Sequence, residues 1–62
     1  MKRKFKVLIG FYAFLDKPPY QKGEILDICD IENDYCLINN EISIHKSWIN
    51  NWIGVEVIKE IK

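Results

Sequence analysis

The sequence predicts an all-β domain, a small five-stranded barrel with one short 3₁₀ turn near residues 45–51. Three observations carry that reading. Eleven of the 62 residues are Ile, whereas Ala, the best helix former, occurs once, at Ala13; β-branched side chains are stiff at χ1 and pack well on a pleated surface. Short apolar runs are punctuated by Gly, Pro and Asn at intervals suited to strands. Finally, Asn39-Asn40 stands between two such runs, and Asn tolerates the left-handed backbone of a tight hairpin turn.

The length allows one domain, residues 1–62. A chain this short buries only about 60% of the surface its unfolded form exposes, so it needs a dense apolar core, a staple or a partner. Hydrophobic residues make up 48% of it, too many for a disordered segment.

The elements follow in order. Phe5 to Ile9 is the first strand, closed by Gly10. Gly10 to Gly23 carries Phe11, Tyr12, Phe14, Tyr20 and the pair Pro18-Pro19. The prolines forbid helix there, and so many aromatics imply a connection that folds back over the core. Lys22-Gly23-Glu24 is a turn in which Gly supplies an unusual φ. Ile25 to Ile31 is the second strand, and its imperfect alternation suggests a bend or bulge. Tyr35 to Ile38 and Glu41 to Ile44 pair antiparallel across a two-residue turn, with Ile42 and Ile44 on one face. His45 to Asn51 lacks alternation and suits a single helical turn. Gly54 frees the chain again, and Val55 to Ile61 is the last strand.

Tyr20-Gln21-Lys22-Gly23-Glu24-Ile25-Leu26-Asp27-Ile28 resembles the diverging turn of SH3 domains, an aromatic followed by Lys-Gly-acid and an aliphatic strand. Asp34-Tyr35-Cys36-Leu37 falls where those domains carry a Trp-Trp pair, and Ile44-His45-Lys46-Ser47-Trp48-Ile49 is similar to their Ile-Pro-Ser-Asn-Tyr-Val segment. The resemblance implies an SH3-like barrel. It places Tyr35 at the ligand-sandwiching Trp, His45 at the groove Pro and Trp48 at the groove Tyr, with Phe11, Tyr12 or Phe14 supplying the aromatic of the first loop. SH3 domains bind Pro-rich helices in such a groove. In this chain the hallmark Trp and Pro are replaced, and the first loop holds a lone acid, Asp16. The pattern is closer to bacterial and phage SH3-like proteins, which keep the barrel and bind other partners.

Net charge is zero, so no global field draws the chain to nucleic acid or membrane. The distribution is dipolar. Lys2, Arg3, Lys4 and Lys6 crowd one end, while Glu24 to Glu41 holds six acids and no Lys or Arg. No apolar run approaches the roughly 18 residues of a membrane span. Val7 to Leu15 imitates a signal core, but Asp16 and Lys17 follow, and we read it as strand and loop. The expected location is cytoplasmic.

Several constellations bear on chemistry. Cys29, Cys36 and His45 fall short of the four ligands a structural zinc takes. The cysteines read as buried reduced thiols, with a cross-strand disulfide as the alternative. A Cys-His nucleophile and base would also need an oxyanion site and a pocket, so no catalytic residue, metal or cofactor is assigned and the chain is read as non-enzymatic. His45 reads either as a partner contact or as a solvent-facing residue opening a turn. Tyr and Trp supply much of the binding energy at interfaces; Tyr35 and Trp48 are the surface candidates, and Trp52 a cap on one end of the barrel.

The expectation is a protein-interaction module. Tyr12, Tyr35, His45 and Trp48 form its aromatic surface, and Asp30, Glu32 and Asp34 form an acidic loop that selects a basic protein partner. Two alternatives stand beside it. One is a nucleic-acid-associated barrel using the N-terminal Lys/Arg cluster; the other is a phage or mobile-element accessory protein that modulates a host complex. A homo-oligomer that covers a sheet edge is compatible with each.

Overall fold

Strand β1, Lys2–Val7, shows how this sequence makes a sheet. Its lysines, Lys2, Lys4 and Lys6, alternate with Arg3, Phe5 and Val7, so one face is charged while Phe5 and Val7 are fully buried on the other. The strand begins earlier than expected because lysines at every second position fit a half-exposed strand. In the computed structural model, which describes residues 2–62, β1 is followed by β2 (Ile25–Glu32), β3 (Tyr35–Ile38), β4 (Ile42–His45), α1 (Lys46–Gly54) and β5 (Ile58–Ile61).

All strand pairings are antiparallel, in the order β4-β3-β2-β1-β5. This five-stranded sheet fits an SH3-like fold in general. Among the described residues no ladder joins β4 to β5, so the sheet does not close on itself by hydrogen bonds.

Phe5, Val7, Leu26, Ile28, Cys36, Ile38, Ile44 and Ile58 line the inner face of the sheet, and Ile49 and Trp52 of α1 complete the core. The connection between β1 and β2 folds back over it. Phe11 and Tyr20 exchange two main-chain hydrogen bonds of 2.9 Å. The Phe11 ring then lies 5.0 Å from Trp52 and 5.5 Å from Tyr20, both tilted. Gly23, at φ +95°, turns this segment into β2 and donates its N–H to the Val7 carbonyl.

Three local expectations need correction. The turn after β3 has three residues rather than two, because Ile38 pairs with Ile42. Asn39 and Asn40 both take positive φ, as expected of a hairpin turn. The Asn39 side-chain carbonyl also accepts the Asp27 N–H at 2.9 Å, while the Asn39 N–H donates to the Asp27 carbonyl. These bonds bind the turn to β2 and fix the longer loop.

The segment after β4 is a nine-residue α-helix, not a 3₁₀ turn. Ile49 and Trp52, three positions apart on one face, both reach the core. Their burial outweighs the weak helix propensity of Asn50 and Asn51. The helix also takes in Gly54, and the last strand starts only at Ile58.

The two cysteines are the third case: both are free thiols, as expected, but only Cys36 is buried, and Cys29 is partly open to solvent. Cys29 pairs with Leu37 and Cys36 with Asp30 in the β2–β3 ladder, so the thiols occupy opposite faces and cannot bridge without rebuilding the strands.

Candidate functional site

The acidic candidates, Tyr35 and His45 are gathered at one end of the sheet, for reasons the ladder makes plain. In β2, Asp30 pairs with Cys36 but Glu32 pairs with Tyr35, so Ile31 is an extra residue and the strand bulges. Asn33 then takes φ +41° and turns the chain tightly into β3. Bulge and turn bring Asp30, Glu32 and Asp34 around the start of β3, where Tyr35 points away from the core beside buried Cys36.

Tyr35 lies opposite His45 on β4, and the rings meet edge to face with centroids 5.3 Å apart. His45 is the N-cap of α1. Its Nδ1 accepts the Ser47 N–H at 3.1 Å and lies 2.9 Å from Ser47 Oγ. The opening of a helical turn expected at this residue is therefore correct, and the imidazole is held in place from two sides. The Lys46 N–H donates to the Asp34 carbonyl at 2.6 Å, joining helix start to acidic turn. The Lys46 ammonium lies 3.7 Å from an Asp30 carboxylate oxygen.

Tyr35 and Trp48 retain 46% and 55% of their exposure, whereas Trp52 keeps 6%. The two tryptophans thus divide between surface and core. Trp48 follows His45 by three residues, in the first turn of α1, which sets it beside the Tyr35 end of the sheet in sequence and topology. Tyr12 is 74% exposed but belongs to the β1–β2 connection. It borders a shallow groove with Phe11, Pro19, Tyr20 and Lys22. At this end of the sheet Glu32, Tyr35 and His45 are cross-strand neighbours on one face, whereas Asp30, opposite Cys36, lies on the other face beside Lys46; Tyr12 belongs to the β1–β2 connection.

Two features escaped the sequence reading. One is that groove beside Tyr12. The other is the division of the N-terminal basic cluster between faces. Arg3 turns inward, where its Nε and Nη2 donate to the two Glu60 oxygens at 3.0 and 2.9 Å, while Lys2, Lys4 and Lys6 face outward. The period of two along β1 was the signal for that division.

The electrostatics follow from these contacts. The hydrogen bond from Arg3 holds the Glu60 carboxyl below its ordinary range, and the hydrogen bond from Lys4 does the same for Asp27. Burial is the main cause raising the Tyr20 hydroxyl and the Cys36 thiol. Among the described residues no group of three or more His, Cys, Asp or Glu is arranged to hold a metal ion, and no helix is long and apolar enough to cross a membrane. Comparison with protein-family models, curated proteins and solved structures returned no match to this chain.

Proposed function

We propose that the chain is an SH3-like, non-enzymatic protein-interaction module, and that Tyr35, His45 and Trp48 receive a basic segment of a protein partner. The observation that supports this reading is the Tyr35–His45 pair. It joins two exposed rings in edge-to-face contact on adjacent strands, with one ring fixed as a helix cap. Rings held this way lose little freedom on binding, which is how aromatic anchors contribute affinity. Glu32, the ladder partner of Tyr35, and Asp34, its neighbour in sequence, supply carboxylates that favour Lys or Arg in the partner and speed its approach, while Asp30, on the opposite face and 3.7 Å from the Lys46 ammonium, stands apart from the pair. Tyr12 contributes in this scheme only if the partner is long enough to reach the groove beside it.

The test is a pull-down from the native extract followed by titration of the captured partner. Losing an aromatic hot spot costs about 2 kcal/mol or more, roughly 30-fold in Kd. Tyr35→Ala together with Trp48→Ala should weaken capture by at least that factor while the circular dichroism spectrum is retained. Glu32→Gln with Asp34→Asn should mainly slow association and reduce its salt dependence. Capture that survives both pairs of substitutions refutes the reading. His45→Asn, which keeps a capping oxygen, separates the loss of the ring from the loss of the helix cap.

A further inference from the structure

The outer face of β1 carries Lys2, Lys4 and Lys6 in one row, each two residues from the next. At about 3.3 Å per residue the row is roughly 13 Å long. Lys59 of β5 stands directly opposite Lys6 in the ladder, on the same face. Like charges opposed in this way repel and are destabilising, and nothing in the core requires them, since all four side chains are exposed. Arg3 belongs to the other face, engaged with Glu60.

One anion already sits on the row. Asp27 pairs with Lys4 in register and accepts from its ammonium at 2.7 Å. The carboxyl is held low by that hydrogen bond first and, more weakly, by the charges of Lys4 and Lys2. Both lysines therefore act on one oxyanion, as they would on a phosphate. Ile25 and Ile61 flank the row, opposite Lys6 and Lys4, and both are exposed.

We infer that this face binds the phosphate backbone of single-stranded nucleic acid, independently of the Tyr35 surface and without sequence preference. The row is one ammonium wide along most of its length, which suits a single phosphodiester chain. The flanking isoleucines offer apolar surface to the bases. Phosphates between Lys6 and Lys59 would turn their repulsion into attraction. Binding is electrostatic, so it falls steeply with salt.

The experiment uses a fluorescent oligo-dT of about fifteen nucleotides at about 20 mM salt, read by anisotropy, with four engaged lysines giving a log–log salt slope of about −3. Lys2→Gln, Lys6→Gln and Lys59→Gln combined should weaken binding at least tenfold, by the loss of charges, and flatten the slope to about −1. The same variant should unfold no earlier than the parent, since it relieves the Lys6–Lys59 repulsion. Asp27→Asn should tighten binding several-fold, because it removes the competing anion. Tyr35→Ala should leave the affinity unchanged. The inference is overturned by any of three results: no binding at low salt, equal binding by parent and triple variant, or capture by phosphatidylserine vesicles without capture of the oligonucleotide.

Discussion

Arg3 and Glu60, 57 residues apart, meet in a two-bond ion pair that ties the first strand to the last. Glu60 stands opposite Phe5 in the ladder, and the Arg3 guanidinium lies 5.0 Å from the centre of the Phe5 ring. The pair thus covers one end of the core face while remaining partly exposed. Its contribution has a predictable pH dependence. Glu60 is held below its ordinary range in the folded chain, so the stabilisation is complete above the unfolded-state value of about 4.3. It is lost as pH falls through the lower folded-state value. Glu60→Gln should be less stable than the parent near neutrality and should lose less stability on acidification. Urea midpoints measured at about pH 7 and about pH 3 should converge; parallel midpoints would show that the pair is energetically silent.

The end of α1 carries a glycine in the wrong place for stability. Val57 N–H bonds to the Trp52 carbonyl and Glu56 N–H to Ile53, the bonds of a Schellman cap. The left-handed residue of that cap is Glu56, at φ +61°, whereas Gly54 is still helical. An added Cβ at Gly54 meets nothing within 4 Å. Gly54→Ala should therefore stabilise by about 0.4–1 kcal/mol, and Glu56→Gly by about 1 kcal/mol through relief of the left-handed strain. Each should raise the melting temperature by several degrees, at about 4–8 °C per kcal/mol for a domain of this size. A lower melting temperature for either contradicts this account of the helix end.

The same helix shows where sequence reasoning reached its limit. Gly54 looked like the break because glycine usually is one, but nothing local shows that Trp52 and Ile49 would hold the chain helical past it. Tyr35 to Ile38 was legible to the residue because turn-forming residues bound it on both sides. The bulge in β2 was legible from the apolar pairs at 25–26 and 28–29, though its placement at Ile31 depends on the register with β3. The acidic turn and the rings at Tyr35 and His45 were legible as residue types. Their convergence was not, because cross-strand contacts are set by pairing rather than by spacing.

The tryptophans give a direct test of that division. Trp52 packs on Phe11 in the core. Its replacement by Ala should cost about 3–5 kcal/mol. At roughly 0.05–0.15 kcal/mol per residue a chain of this size holds only about 3–9 kcal/mol in total, so Trp52→Ala should remove about a third or more of the stability and lower the melting temperature by at least about 10 °C. Trp52→Phe should remain folded, with Trp48 as its sole tryptophan. Its emission should be red-shifted and readily quenched by iodide. Trp48→Ala should change stability by no more than about 0.5 kcal/mol and leave a blue-shifted, protected emission. Reversed spectra would exchange the two assignments and remove Trp48 from the binding surface.

The thiols should differ just as clearly. Cys36 is 1% exposed in the core, and its burial disfavours the thiolate that alkylation requires. Cys29 is on the opposite face of the sheet and partly open to solvent. Iodoacetamide applied to the native chain should modify Cys29 once, and Cys36 should react only at the rate of unfolding. Oxidation of the folded monomer should leave both thiols unpaired within the chain, detectable as full alkylation after denaturation. Cys36→Ser places a hydroxyl among apolar neighbours and should cost about 1–3 kcal/mol, whereas Cys29→Ser should be close to neutral. An intramolecular disulfide, or equal labelling of both cysteines in the native state, would mean that the register between β2 and β3 is not the one described, and the Tyr35–Glu32 pairing on which the acidic turn depends would fall with it.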